Sequence, residues 1–169
     1  MANTTFSGPI RSESTIKTIS KDATSGTITE ITTLGGAPVS LSDGDVTLTN
    51  ATHSGRVLLV PDGGQDNTYT LPARIAGSMF RFVYAGGAAD ATDAIIITPG
   101  NTNFYIGGIT FLDTDGNAIS SVFSNGSSNS SIQFNVPAGF DVTIMGLNTT
   151  NYQIFGNATS TTAPAFADQ

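Results

Sequence analysis

The chain of 169 residues contains no cysteine. That absence removes disulfides, thiolate nucleophiles and Cys-ligated zinc together, and it makes the fold indifferent to redox compartment. Charge is scarce as well: charged residues make up 11% of the chain, with 6 Lys and Arg against 13 Asp and Glu, where an ordinary domain holds roughly 25%. The last cation is Arg81, and Asp90, Asp93, Asp113, Asp115, Asp141 and Asp168 follow it without a counter-charge in sequence. Such a surface repels a phosphate backbone, so nucleic acid is not an expected partner. No window approaches the ~20 apolar residues of a bilayer span, and neither end shows a lipid-anchoring motif, so no membrane partner is expected. The opening "MANTTFSGPIRSE" lacks the continuous apolar stretch of a secretory signal and is not read as a targeting peptide. Helical periodicity is missing too, and the Gly-Gly pairs at 35–36, 63–64, 86–87 and 107–108 would each weaken a helix.

The equipment of catalysis is equally thin. The chain has one histidine, His53, in the turn-like "NATHSGR", and no G-x-S-x-G elbow surrounds any serine. Glycoside hydrolysis requires two carboxylates across a cleft, yet Glu13 and Glu30 both lie in the Thr-rich opening and the aspartates are scattered over loops. "DTDGN" at 113–117 supplies oxygens at alternate positions, but an EF-hand places glycine sixth and a bidentate Glu twelfth, whereas here Gly116 is fourth and Ser124 twelfth. It reads as a hairpin turn, and so do "SDGD" and "PDGGQDN". The sequence therefore predicts no catalytic residue, no cofactor and no metal site; the chain is not expected to be an enzyme.

What is abundant is the material of strands and turns. The 25 Thr and 17 Ser suit a pleated surface and tight connections, because a branched Cβ restricts χ1 while Ser, Asn and Gly fill turns. "TIKTISKDATSGTITEITT" is two Thr/Ile runs about a Ser25-Gly26 turn, and "APVSL" and "DVTLT" flank "SDG" as a second hairpin. Further strands are expected at "RVLLV", "TYTL", "MFRFVY", "AIIIT", "FYIGGITFL", "AISSVF", "SIQFNV", "DVTIMGL" and "YQIF". In "MFRFVY" the alternation puts Phe80 and Phe82 on one face, and "AIIIT" reads as a central strand covered on both sides. "SSVFSNGSSNSS" is a low-complexity stretch read as an exposed loop. The expected fold is all-β: a single sandwich or barrel, jelly-roll-like, of many short antiparallel strands. Residues 1–14 form an extended N-terminal arm, 15–157 the β domain and 158–169 a flexible tail or one docked on a partner.

Three segments carry a family resemblance. "MANTTFSGPIRSE" resembles the opening of small virion proteins of tailed bacteriophages, where a short polar stretch leads into F-S-G-P and a basic residue. "SGRVLLVPDGGQDNTYTLPARIAGSMFRFVYAG" is similar to a phage structural module, and "GFDVTIMGLNTTNYQIFG" resembles the closing hairpin of such modules, with an aromatic near Tyr152. The likeness covers the first thirteen residues and about 55–156. It implies a capsid decoration (cement) protein on the outer surface of the head, whose partner is the major capsid protein and which assembles as a homotrimer. A tail-fibre or receptor-binding, glycan-binding module is the alternative; it calls for exposed aromatics, and Tyr69 and Tyr105 stand nearest to loop signals. On the decoration reading, residues 1–13 are a strap across a neighbour: Phe6 and Ile10 anchor it, Gly8 and Pro9 bend it, and Arg11 pairs with an acidic group.

Overall fold

Alternating apolar residues make strands where the period-2 pattern places them, and the physical reason is burial on one face only. The structure is a computed structural model that describes residues 18–21, 24–31, 37–87, 91–148 and 150–169. The arm residues Phe6, Gly8, Pro9, Ile10 and Arg11 lie outside the described residues. The chain divides into two compact units, Met1–Ala37 and Pro38–Gln169, and the sandwich lies in the second.

In the first unit, β1 (Thr18–Lys21) and β2 (Ile28–Ile31) pair antiparallel, with Lys21 opposite Ile28. The turn falls at the expected Ser25-Gly26: Gly26 takes φ 70°, and the Ser25 hydroxyl oxygen accepts the Thr27 N–H at 3.2 Å.

Among the described residues, the second unit contains twelve strands in two mixed sheets. Its first half is β3 (Val39–Ser40), β4 (Val46–Thr47), the single-turn helix α1 (Asn50–His53), β5 (Arg56–Val60), β6 (Asn67–Thr70), β7 (Met79–Tyr84) and β8 (Ala94–Ile97). There follow β9 (Phe104–Asp113), β10 (Ala118–Phe123), β11 (Ser131–Phe134), β12 (Gly139–Gly146), β13 (Asn151–Ser160) and β14 (Ala165–Ala167). One sheet has the order β10-β9-β13-β12-β7-β5-β3 and the other β14-β11-β8-β6-β4. The expected all-β sandwich is thus what forms, and it does not close into a barrel.

Strand direction departs from the all-antiparallel expectation. The chain passes from one sheet to the other at each step from β3 to β8, so β3, β5 and β7 stack parallel in one sheet while β4, β6 and β8 stack parallel in the other. Each rung buries its residue on the one below: Val39, Leu58 and Phe82 are in register, as are Val46, Tyr69 and Ile96. Parallel neighbours need a long crossover, and here the crossover is a strand of the opposite sheet. The "APVSL"–"DVTLT" pair is for that reason an arch between sheets, not a hairpin.

The acidic turns hold these arches together. Asp43 accepts the Gly64 N–H at 3.1 Å and an Asn67 side-chain N–H at 3.2 Å, Asn67 accepts the Gly44 N–H at 2.7 Å, and Asp45 accepts the Thr68 N–H at 2.9 Å. One arch higher, Asp66 accepts the Asp93 N–H at 2.8 Å, and Asp93 accepts the Val136 N–H at 2.8 Å. Backbone donors that a tight arch leaves without a ladder partner are satisfied in this way.

The second half is mostly antiparallel, with β9 and β10 closing over "DTDGN" as expected. There Asp113 accepts the N–H groups of Asp115 and Gly116, and Asn117 adopts φ 50°. The core between the sheets holds Phe80 and Phe82 side by side, both fully buried. Phe134 and Phe140 stack across the layers with centroids 4.2 Å apart. β8 is central in its sheet as expected, but only Ala94 and Ile96 are buried, so one of its faces is covered rather than two. The Ser/Asn stretch after β10 is an ordered loop: the Asn125 side-chain oxygen accepts the N–H groups of Ser127, Ser128 and Asn129.

Strands continue past residue 157. Residues 158–160 complete β13, and Ala165–Ala167 form an edge strand on β11. Phe166 turns edge-on to the Tyr105 ring at 6.1 Å, and the Gln169 side chain donates to the Thr98 carbonyl at 2.8 Å. One aromatic side chain and its backbone pairing are enough to order a segment otherwise poor in apolar residues.

Candidate interaction surface

Alternation decides what each sheet shows to the outside. In the seven-stranded sheet Phe80, Phe82, Val142, Ile144, Tyr152 and Ile154 face the core, which turns Met79, Arg81, Thr143, Gln153 and Phe155 outward. Ile109 and Phe111 of β9 face inward, so Thr110 and Leu112 face out; on β10, Val122 packs on the core, so Ile119, Ser121 and Phe123 face out. Five large apolar side chains consequently stand exposed on one sheet face: Met79 and Leu112 at 41%, Phe155 at 45%, Phe123 at 73% and Ile119 at 74%.

Two open grooves of about 390 and 430 Å³ cross this face and share Phe155 and Gly156. Their floors are low where glycine replaces a side chain. Gly108 lies opposite Phe123, and at Gly156 a Cβ would run into the Asp141 carbonyl oxygen and reach within 2.7 Å of the Val142 Cα. The outward face of the other sheet differs in kind, presenting Thr68, Thr70 and Gln133 around Ile95 and Ile97.

One ion pair stands on the apolar face. Arg81 donates from Nε to Asp141 Oδ1 at 2.8 Å and from Nη2 to Oδ2 at 2.5 Å, a forked geometry that fixes both side chains. The Arg81 hydrogen bonds hold the Asp141 carboxyl below its ordinary 3.8. A depressed folded-state value means stability present above the unfolded pKa and lost as pH falls through the folded one. Arg81→Met should therefore cost less than about 1 kcal/mol at neutral pH, since both groups are well exposed. The difference from the parent should shrink as pH falls below the ordinary carboxylate range and through the depressed range of Asp141; paired urea titrations at pH 7 and in strong acid check it.

The residues singled out for chemistry are dispersed. His53 ends α1, where its Nδ1 accepts the Thr49 N–H at 2.9 Å and the Thr49 hydroxyl accepts the Thr52 N–H; it serves to cap a turn. Among the described residues, no group of three His, Asp or Glu is placed to hold a metal ion. Tyr69 and Tyr105 are fully buried, not displayed near loops. Burial pushes the Tyr69 and Tyr152 phenols up to about 12, and Tyr152 donates to the Pro72 carbonyl at 2.7 Å. These are core groups that keep their protons. Sequence reasoning missed Met79, Phe155, Ile119 and Phe123, although a signal existed: in "YQIF" and "AISSVF" the apolar residues fall on both parities, so one of them must face out. Searches of family models, curated proteins and solved structures each return no match for this chain.

Proposed function

We propose that the chain is a structural protein of a tailed-phage virion, a decoration protein that sits on the outer surface of the head and binds the major capsid protein. The observation that carries this reading is the outward face of the seven-stranded sheet, where Met79, Leu112, Phe155, Ile119 and Phe123 are exposed together on a stiff support. An apolar face of this kind marks a contact surface, and a β-sandwich holds it rigid without loops that must be ordered on binding. The family resemblance in the opening and in 55–156 points to the same role. A protein that binds only the expanded shell stabilises it by mass action, which requires contact area and no catalysis. The strap formed by residues 1–13, anchored by Phe6 and Ile10, belongs to this proposal on the sequence alone.

The fibre or glycan-binding alternative is less well supported. Glycan stacking needs flat exposed rings, and the two tyrosines nearest to loop signals, Tyr69 and Tyr105, are withdrawn into the core.

Adding purified protein to expanded heads stripped of it tests the reading. Phe155→Asp places an unpaired charge in the middle of the contact and should lower occupancy at least tenfold. Thr70→Asp, on the other sheet, should leave occupancy within twofold, with circular dichroism confirming that both variants fold. Equal occupancy for parent and Phe155→Asp rejects this face as the binding surface.

A further inference from the structure

We propose that a second copy of this chain pairs with the free edge of β10, antiparallel and about a twofold axis at Ser121, joining two seven-stranded sheets into one. Every sheet has edges whose backbone groups seek a partner, and natural sheets blunt them with short strands, proline or charge. Among the described residues, three of the four edges of the two sandwich sheets are blunted: β3 has two residues after Pro38, β4 has two, and β14 has three after Pro164. β10 is different. Its six residues, "AISSVF", contain neither proline nor charge, and all but Val122 are exposed. β14 of the other sheet runs near it, yet among the described residues no backbone hydrogen bond joins the two, and β10 pairs with β9 alone.

The register says what fits. Ser124 donates its N–H to the Gly107 carbonyl across the β9 ladder at 3.0 Å. By alternation Val122, Ser120 and Ala118 also turn their backbone groups to β9, and Ile119, Ser121 and Phe123 turn theirs to the free edge. The same three carry their side chains on the outer face. With the axis at Ser121, Ser121 meets Ser121, and Ile119 meets Phe123 twice over, so each opposed pair exchanges both backbone hydrogen bonds. An aromatic opposite a β-branched residue is a favourable cross-strand pair. The strand is complementary to itself, which is what points to a second copy. Charge does not oppose the match: Asp113 and Asp115, at the β9–β10 tip, fall beside the uncharged loop 124–129 of the other copy.

Such a contact is isologous and closes on two chains, whereas the homotrimer implied by the resemblance needs two different patches. The proposal concerns the isolated protein and stands or falls apart from the capsid reading. Each copy carries a net charge of −7, so association should tighten as salt screens the repulsion.

Two measurements on the full chain test it. Sedimentation equilibrium should return a dimer, and Ser121→Lys, which sets like charges face to face at the axis, should weaken association roughly tenfold or more while circular dichroism stays unchanged. The second exploits the absence of native cysteine: in Ser121→Cys the two sulfurs face each other across a Cα separation of about 5.5 Å, within disulfide reach. Mild oxidation should convert it to covalent dimer at least tenfold faster than Thr110→Cys, which is exposed on the neighbouring strand. A chain that stays monomeric at millimolar concentration overturns the proposal. So does a trimer, or cross-linking of Ser121→Cys no faster than that of Thr110→Cys.

Discussion

Phe140→Ala should lower the stability of the sandwich by about 3–5 kcal/mol, the largest loss expected from any single side-chain truncation described here. Phe140 of β12 is 4% exposed, stacks on Phe134 of β11 at 4.2 Å with rings 20° apart, and touches the Tyr84 ring at 5.5 Å. It is therefore a contact between the two sheets as well as part of one. The truncation forfeits the transfer free energy of the ring, leaves a void in a close-packed layer and breaks a stacked pair. Phe140→Leu keeps most of the volume and should cost about half as much or less. Urea unfolding followed by far-ultraviolet dichroism gives both numbers, and a loss under about 1 kcal/mol for Phe140→Ala would mean the sheets do not depend on that stack.

Gly156→Ala should be nearly as damaging although it adds one carbon. Gly156 has φ 146° and lies opposite Val142 in the middle of the β12–β13 ladder. A Cβ there would collide with the Asp141 carbonyl oxygen and crowd the Val142 Cα at 2.7 Å. Both obstacles are backbone atoms of the neighbouring strand, so relief requires the strands to part at the centre of the seven-stranded sheet. Backbone strain of this kind and overpacking each cost about 1–3 kcal/mol, which together lower Tm by roughly 5–20 °C in a chain of this size. Gly139→Ala, where a Cβ meets nothing within 4 Å, should leave the melting curve almost unmoved.

Much of this architecture could be read in advance, and what escaped has physical causes. β5, β7 and β10 begin and end where "RVLLV", "MFRFVY" and "AISSVF" do, because alternation and turn residues are local signals. Strand direction is not local. The alternation that buries Leu58 and Val60 is the same whether a neighbour runs parallel or antiparallel, so the arches from β3 to β8 could not be told from hairpins. The strand Ala165–Ala167 is not legible locally, because the placing of Phe166 depends on the Tyr105 ring and on the edge of β11, neither of which a window on 158–169 contains. The outward apolar face was half legible: parity separates Phe155 from Tyr152 and Ile154, but only assembled neighbours reveal that Phe155, Met79 and Phe123 share one surface.

The measurement that bears most directly on the account is a reconstruction of heads decorated with this protein, by electron cryomicroscopy at a resolution that separates strands. The account predicts density on the outer surface of the shell, with β9, β12, β13 and β7 turned toward the major capsid protein, Phe155 within the contact, and the Thr68–Thr70 face of the other sheet toward solvent. Density confined to the tail, or copies bound with the five-stranded sheet against the shell and Phe155 exposed, would contradict it.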